Sequence, residues 1–340
     1  MSRRARPRKS LVQSAVVLVA IALLGALGVR CRLDKILEHG GLTKDGDFRP
    51  ASTSAAHHPP SKREPTSGRG QASGPTGATQ PPGGGATEGT PPPGSSGSVH
   101  LALGTPTDAD PSDDLLLIKA QYALSYNPRR NVANWVSQNL DESYFGPAPR
   151  HQGKFLADET LPAGVYRVRD QDYAGSGYDR GHMVRSEERT RTPEDNTATF
   201  LLTNVLPQRH DLNAGPWLRL EDYCQALAQK SHRELYIMAG GIFAPGGATI
   251  GHGVAVPTEC FKIVVVLDRG QGARDVTEAT RVIAVVMPNV TGILDEGWGR
   301  YRTTVREIER RTGYDFLSAV PAAIQRAIET RTDEGPTSGH

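Results

Sequence analysis

The stretch Tyr178-Asp179-Arg180-Gly181-His182-Met183 sets a cation, Arg180, and a base, His182, two residues apart. About thirty residues further on comes Asp211-Leu212-Asn213-Ala214-Gly215-Pro216-Trp217-Leu218-Arg219-Leu220-Glu221-Asp222. It offers a neutral oxygen ligand, Asn213, just ahead of a helix and a carboxylate, Glu221, within it. Together the two segments suit a hydrated divalent metal held beside a phosphodiester.

Hydrolysing such a bond needs a base for the attacking water, positive charge for the phosphate oxygens and stabilisation of the leaving oxygen. An imidazole titrates near neutrality, which makes His182 the candidate base. Arg180 can make bidentate, charge-assisted contacts with phosphate. The Asn213 amide oxygen suits Mg²⁺, a hard cation that keeps most of its waters. Glu221 can accept hydrogen bonds from those waters, and the metal polarises the phosphate. Each residue also has a plainer reading. Arg-Gly-His can be structural, Asn213 a turn or capping residue, and Glu221 a solvent-facing helix residue.

Downstream of Pro216, a good first helical residue, the apolar positions Trp217, Leu220, Tyr223, Cys224, Leu227 and Ala228 repeat every three or four residues. Upstream of it, the run at 199–203 reads as a strand. Further strands are expected at 115–119, 122–126, 132–136, 235–241, 261–267 and 281–287. Residues 144–174 read as irregular surface loops. Thr304-Val305-Arg306-Glu307 is a capping box for a helix that stops at Gly313, and a short amphipathic helix is expected over 321–330. Strands and helices do not alternate regularly, which predicts an α+β fold around a mostly antiparallel sheet.

The N-terminal third differs in kind. Arg3, Arg4, Arg6, Arg8 and Lys9 precede an apolar run over residues 11–29. That run is long enough to span a bilayer, and the basic flank orients the rest of the chain outside the cytoplasm. A signal peptide cleaved near Ala26-Leu27-Gly28 is the alternative. From 30 to 110 the chain is rich in Pro, Gly, Ser and Thr and reads as a disordered tether. The expected organisation is a basic flank at 1–10, an anchor at 11–29, the tether at 30–110, a folded domain at 111–331 and a flexible tail at 332–340. The formal net charge of +2 excludes no class of function, but it lacks the bulk positive signal of a globally basic nucleic-acid binder, so any polyanion site is a local patch. Three cysteines, without zinc spacing, describe no disulfide framework. Cys224 and Cys260 are read as buried thiols, with a pair between them as the alternative.

The 178–183 stretch resembles the DRGH signature of the DNA/RNA non-specific endonucleases, the endonuclease G-like ββα-metal (His-Me finger) nucleases. The resemblance continues through Leu202-Thr203-Asn204-Val205-Leu206-Pro207-Gln208, the 211–221 segment, the hairpin at 122–136 and the helix near 307–313, and so covers roughly 113–330. It implies a Mg²⁺-dependent, sugar-nonspecific endonuclease, with Mn²⁺ as a substitute, that cuts DNA and RNA and leaves 5′-phosphates. It carries the general base to His182, the direct metal ligand to Asn213, the water-holding carboxylate to Glu221 and the motif arginine to Arg180. Lys154 and Arg150 are the candidates for an upstream phosphate contact. Gln225 stands where some members have an arginine, and Pro216 where a small or polar residue is more usual. Family members are often dimers, although the sequence shows no dimer surface. A catalytically silent surface nucleic-acid binder, a structural surface protein with a vestigial nuclease fold and a mitochondrial endonuclease G-like enzyme are the alternatives.

Overall fold

The computed structural model describes residues 97–338. Its strands, in chain order, are β1 (Leu115–Ile118), β2 (Ala123–Asn127), β3 (Val132–Leu140), β4 (Asp179–His182), β5 (Val205–Gln208), β6 (Arg233–Ile242), β7 (Thr249–Ile250), β8 (Val254–Ala255), β9 (Glu259–Asp268), β10 (Arg281–Pro288) and β11 (Arg302–Thr303). Seven of them form one sheet in the order β1-β2-β3-β6-β9-β10-β11, and every pairing in it is antiparallel. β4 and β5 form a separate antiparallel pair.

Both faces of the large sheet are covered, and this accounts for the almost unbroken apolar runs of β6, β9 and β10. Alternation along each strand sorts their side chains. Leu235, Ile237, Cys260, Val264, Ile283 and Val285 join the core that also holds Val205, Trp217 and Leu220. Tyr236, Met238, Phe261, Ile263, Val282 and Ala284 join Val305, Ile308, Phe316 and Ile328 on the other face. β4, β5 and the long helix therefore lie on one face, and the C-terminal helices Val305–Thr312 and Ala322–Ile328 on the other. Half of the expected capping box forms: the Thr304 hydroxyl accepts from Glu307 N, while the Glu307 carboxylate turns to Arg310 instead of back to Thr304 N. Gly313 closes the helix in the left-handed conformation. Cys224 and Cys260 are both free and buried.

Four local expectations change. The folded region begins earlier than residue 111. Leu101 and Leu103 are buried, and their segment is tied in by Ala319 N to Leu103 O and Asp315 N to Thr107 O. The two leucines carry enough apolar surface to hold an otherwise polar stretch. The end of the chain is also held down. Asp333 pairs with Arg281 and Arg302, and the Trp298 indole donates to Thr337 O at 3.0 Å, so residues 332–338 lie on the domain rather than free of it.

The 199–203 run is not a strand. α1 (Pro193–Ala198) ends there, and a 3-10 turn at Leu202–Asn204 leads into β5. The buried Asn204 amide takes over the ladder bonds a strand would have made, donating to Val184 O and Thr199 O and accepting from Val184 N. Nor does the long helix start at Pro216. A single turn, α2 (His210–Leu212), and a wide turn over Asn213–Trp217 precede α3 (Leu218–Gln229). Gly215 breaks the path between them, with φ −102° and ψ −119°. Its missing side chain also lets the backbone of Leu294 pack against it; an added Cβ would lie 2.9 Å from Leu294 O. Among the described residues no helix is long and apolar enough to cross a membrane. The expected anchor at 11–29 and nearly all of the tether lie outside them.

Candidate active site

β4 carries the whole Asp-Arg-Gly-His motif, and its register with β5 sets Asp179 opposite Gln208 and His182 opposite Val205. Gly181 leaves room for the buried Gln208 side chain, which any Cβ there would displace. The two strands then run into α2 and α3, giving the strand–strand–helix order. The Trp217 indole, at the helix start, donates to His182 O at 3.3 Å.

The His182 ring sits among aromatics, 5.1 Å from Phe155 and 5.1 Å from Phe200 between centroids. Its Nε2 is occluded and hydrogen-bonds no described residue, which leaves Nδ1 as the nitrogen through which a water could be met. Burial, aided by the nearby Arg150 charge, pushes the imidazole down to about 3, so the ring is neutral at pH 7, although the same burial weakens it as a base. Arg150 lies 5.0 Å above the Phe200 ring and pairs with Glu187 at 2.7 Å. Arg180 packs on Phe155 and Tyr173 and is held by the Asp170 carboxylate and carbonyl, each at 2.7 Å. The aromatic cluster thus brings His182, Arg150 and Arg180 together. Lys154 is exposed and makes no ion pair among the described residues, although it precedes Phe155 in the chain.

Asn213 is joined to the motif directly. Its Nδ2 donates to Asp179 Oδ2 at 3.1 Å, and His210 Nδ1 lies 2.8 Å from the same oxygen. A carboxylate only accepts, so the contact fixes the amide with nitrogen toward Asp179 and oxygen away from it. That oxygen has no partner among the described residues. A fixed, neutral oxygen with no partner among the described residues is a donor that fits a hydrated hard cation. When bound there, such a metal would supply Lewis-acid polarisation of the phosphate.

Glu221 is on α3 but is buried rather than solvent-facing. Its Oε1 accepts from Lys262 Nζ at 3.1 Å. Burial lifts its carboxyl up to about 7 against the pull of Lys262. The ammonium also lies 4.2 Å from the centre of the Trp217 ring. The sequence reading missed Lys262, and the signal was there: a lysine inside Cys260-Phe261-Lys262-Ile263-Val264-Val265 cannot be an ordinary core residue. It also missed Arg185, three residues past His182, which bridges Glu187 and Asp222 at 3.0 and 2.6 Å. The clustered carboxylates Asp108, Asp113 and Asp114 belong elsewhere. Asp114 already accepts from Ser125, Asn134 and Tyr314, and Tyr314 packs in the opposite core.

The profile of the family described as DNA/RNA non-specific endonuclease matches residues 99–323. The chain belongs to that family. It is 49% identical over 241 residues to a nuclease of Nostoc sp., an alignment covering 69% of this chain and 86% of the relative. It is 32% identical over 223 residues to human mitochondrial endonuclease G, covering 62% of this chain and 70% of that one. A crystal structure of the EndoG/EndoGI complex, described as showing the mechanism of EndoG inhibition, superposes with a TM-score of 0.55 at 27% identity. That match covers 65% of this chain and 91% of the other. The endonuclease family is one of hydrolytic nucleases, and the mixed α/β domain with its antiparallel sheet is of the endonuclease G-like, ββα-metal kind.

Proposed function

We propose that this family member hydrolyses phosphodiester bonds of DNA and RNA with Mg²⁺, leaving 5′-phosphates. His182 takes the proton of the attacking water, Asn213 is the direct metal ligand, and Glu221 holds metal-bound water. The carrying observation is the Asp179–Asn213 hydrogen bond. It ties the oxygen ligand to the strand that presents the base, so both are placed by one rigid element. Phe155 and Phe200 exclude water from one side of the imidazole, and Arg150, Arg180 and Arg185 supply positive charge around it. Contacts of this kind address the backbone and carry no sequence information, in keeping with action on both nucleic acids. The test is cleavage of plasmid DNA and of RNA by the full chain, with and without chelator. Chelator-resistant cleavage, or cleavage of only one of the two, would overturn the reading.

We also infer that residues 11–29 anchor the enzyme in a membrane, with the domain outside the cytoplasm on the tether at 30–97. The inference rests on the sequence pattern alone. Retention in the membrane pellet after a high-salt wash tests it. A mature N-terminus near Leu27, or mitochondrial import, is the opposing outcome.

A further inference from the structure

A second basic surface lies beside the catalytic one. Between α3 and the turn that includes Trp298–Tyr301 is an open cleft of about 710 Å³, lined by Arg219, Lys230, Arg300 and Arg302 among others. One carboxylate, Asp222, also lines it, and Arg185 neutralises that group at 2.6 Å. The other counter-charges are few. Arg302 pairs with Asp333, and Arg300, 73% exposed, meets Glu296 only at 3.4 Å. Arg219 bonds backbone carbonyls of Leu294 and Glu296 rather than a carboxylate. Lys230 is exposed and has no ion pair among the described residues. The cleft therefore carries uncompensated positive charge although the chain as a whole is near neutral.

Its position matters as much as its sign. Asp222 belongs to the cleft and touches Arg185 of the catalytic region, so the two surfaces are continuous along α3. From Asp222 to Lys230 is eight residues, about 12 Å along a helix axis. One strand of duplex DNA advances about 3.4 Å per nucleotide, so this is the reach of roughly three to four phosphates.

We propose that this cleft is an extended subsite for nucleic-acid backbone, holding phosphates of the strand beyond the scissile bond through Lys230, Arg300 and Arg219. The proposal rests on the nuclease reading of the neighbouring site. It assigns the cleft to affinity and to substrate length, with the chemistry left to the His182 region.

The test uses the full chain in a His182→Ala background, where substrate persists, and adds Lys230→Ala/Arg300→Ala. Both added positions are exposed and hold no buried contact. Binding of labelled single-stranded and duplex oligonucleotides is measured against salt. The expected result is on the order of tenfold weaker binding of long oligonucleotides at 0.1 M salt. The slope of log affinity against log salt should fall by about 0.7–0.9 for each lost contact. Lys230→Gln alone should give about half of that change. Oligonucleotides too short to pass Asp222 should bind both proteins alike. In the enzyme with His182 intact, the loss should fall on KM rather than kcat. Equal affinity and equal salt slope with and without the two cations would overturn the proposal, as would a loss independent of length. The catalytic reading fails separately, on undiminished cleavage by His182→Ala alone.

Discussion

Lys262 Nζ lies 3.1 Å from Glu221 Oε1, and the two side chains are only 2% and 7% exposed. At that burial neither charge can fall back on solvent, so each requires the other. Breaking a buried pair by removing one partner typically costs about 3–5 kcal/mol. Lys262→Met should therefore lower unfolding free energy in urea by an amount that approaches that order as pH rises well above 7, where the wild-type carboxyl is ionised. The penalty should shrink at pH 5, where a carboxyl raised to about 7 is protonated and no longer needs a cation. Lys262→Met/Glu221→Gln should recover most of the loss. A single variant as stable as wild type at pH 9 would show that the pair is not coupled in this way.

His182→Ala should reduce cleavage by about 10²–10⁴-fold, the usual effect of losing a general base. Affinity for nucleic acid should hold, because the imidazole acts on water and adds little ground-state binding. Turnover close to wild type would remove His182 from the chemistry.

Asn213→Ala and Glu221→Gln, which keeps an oxygen for Lys262, should respond differently to metal. The first removes the one neutral oxygen that Asp179 fixes in place, and added Mg²⁺ should rescue it poorly. The second leaves that ligand intact. Groups around a metal's ligands typically matter by about 10–100-fold, and raised Mg²⁺ or Mn²⁺ should recover part of that activity. Titrating activity against each metal separates the two. The reverse pattern of rescue would exchange the assigned roles.

Stability should fall on the acid side through His100. Burial lowers this ring to about 4. Its Nε2 bonds Ala120 O at 3.0 Å, and its Nδ1 accepts from Asn139 N at 3.1 Å. The neutral ring satisfies both contacts, whereas a protonated ring would turn N–H against N–H. Because the folded pKa lies below the unfolded value of 6.5, the unfolded chain binds the extra proton. The contribution is complete above about pH 6.5 and is lost as pH falls toward 4. It amounts to about 3 kcal/mol, at 1.36 kcal/mol per unit. Urea unfolding of wild type and His100→Phe between pH 4 and 7 checks this: the variant's profile should be flatter over that window. Parallel profiles would place the acid sensitivity elsewhere.

The fold was legible where strand character was strong. The runs at 235–241, 261–267 and 281–287 became β6, β9 and β10, with both faces covered as their unbroken apolar character implied. The 199–203 run misled because the Asn204 side chain supplies the backbone partners that a strand would have needed, and no local pattern reveals that. The ends were misjudged for a related reason. Leu103 and Asp333 are held by residues more than 30 positions away in sequence, in stretches that read as tether and as tail. The motif pointed to the strand that carries Asp179, Arg180 and His182. Lys262 and Arg185 lay outside it, because their partners are set by the packing of α3 on β9 and β4 rather than by spacing along the chain.

The break at Gly215 falls between Asn213 and Glu221. The separation of these two groups is therefore not fixed by helical rise. It is set by how closely Gly215 seats against the backbone of Leu294, which Arg219 grips through the carbonyl at 2.7 Å and which Asp211 steadies through Gly292 N. Altering the 290–296 loop alone would therefore change the spacing of Asn213 and Glu221 and leave both side chains untouched.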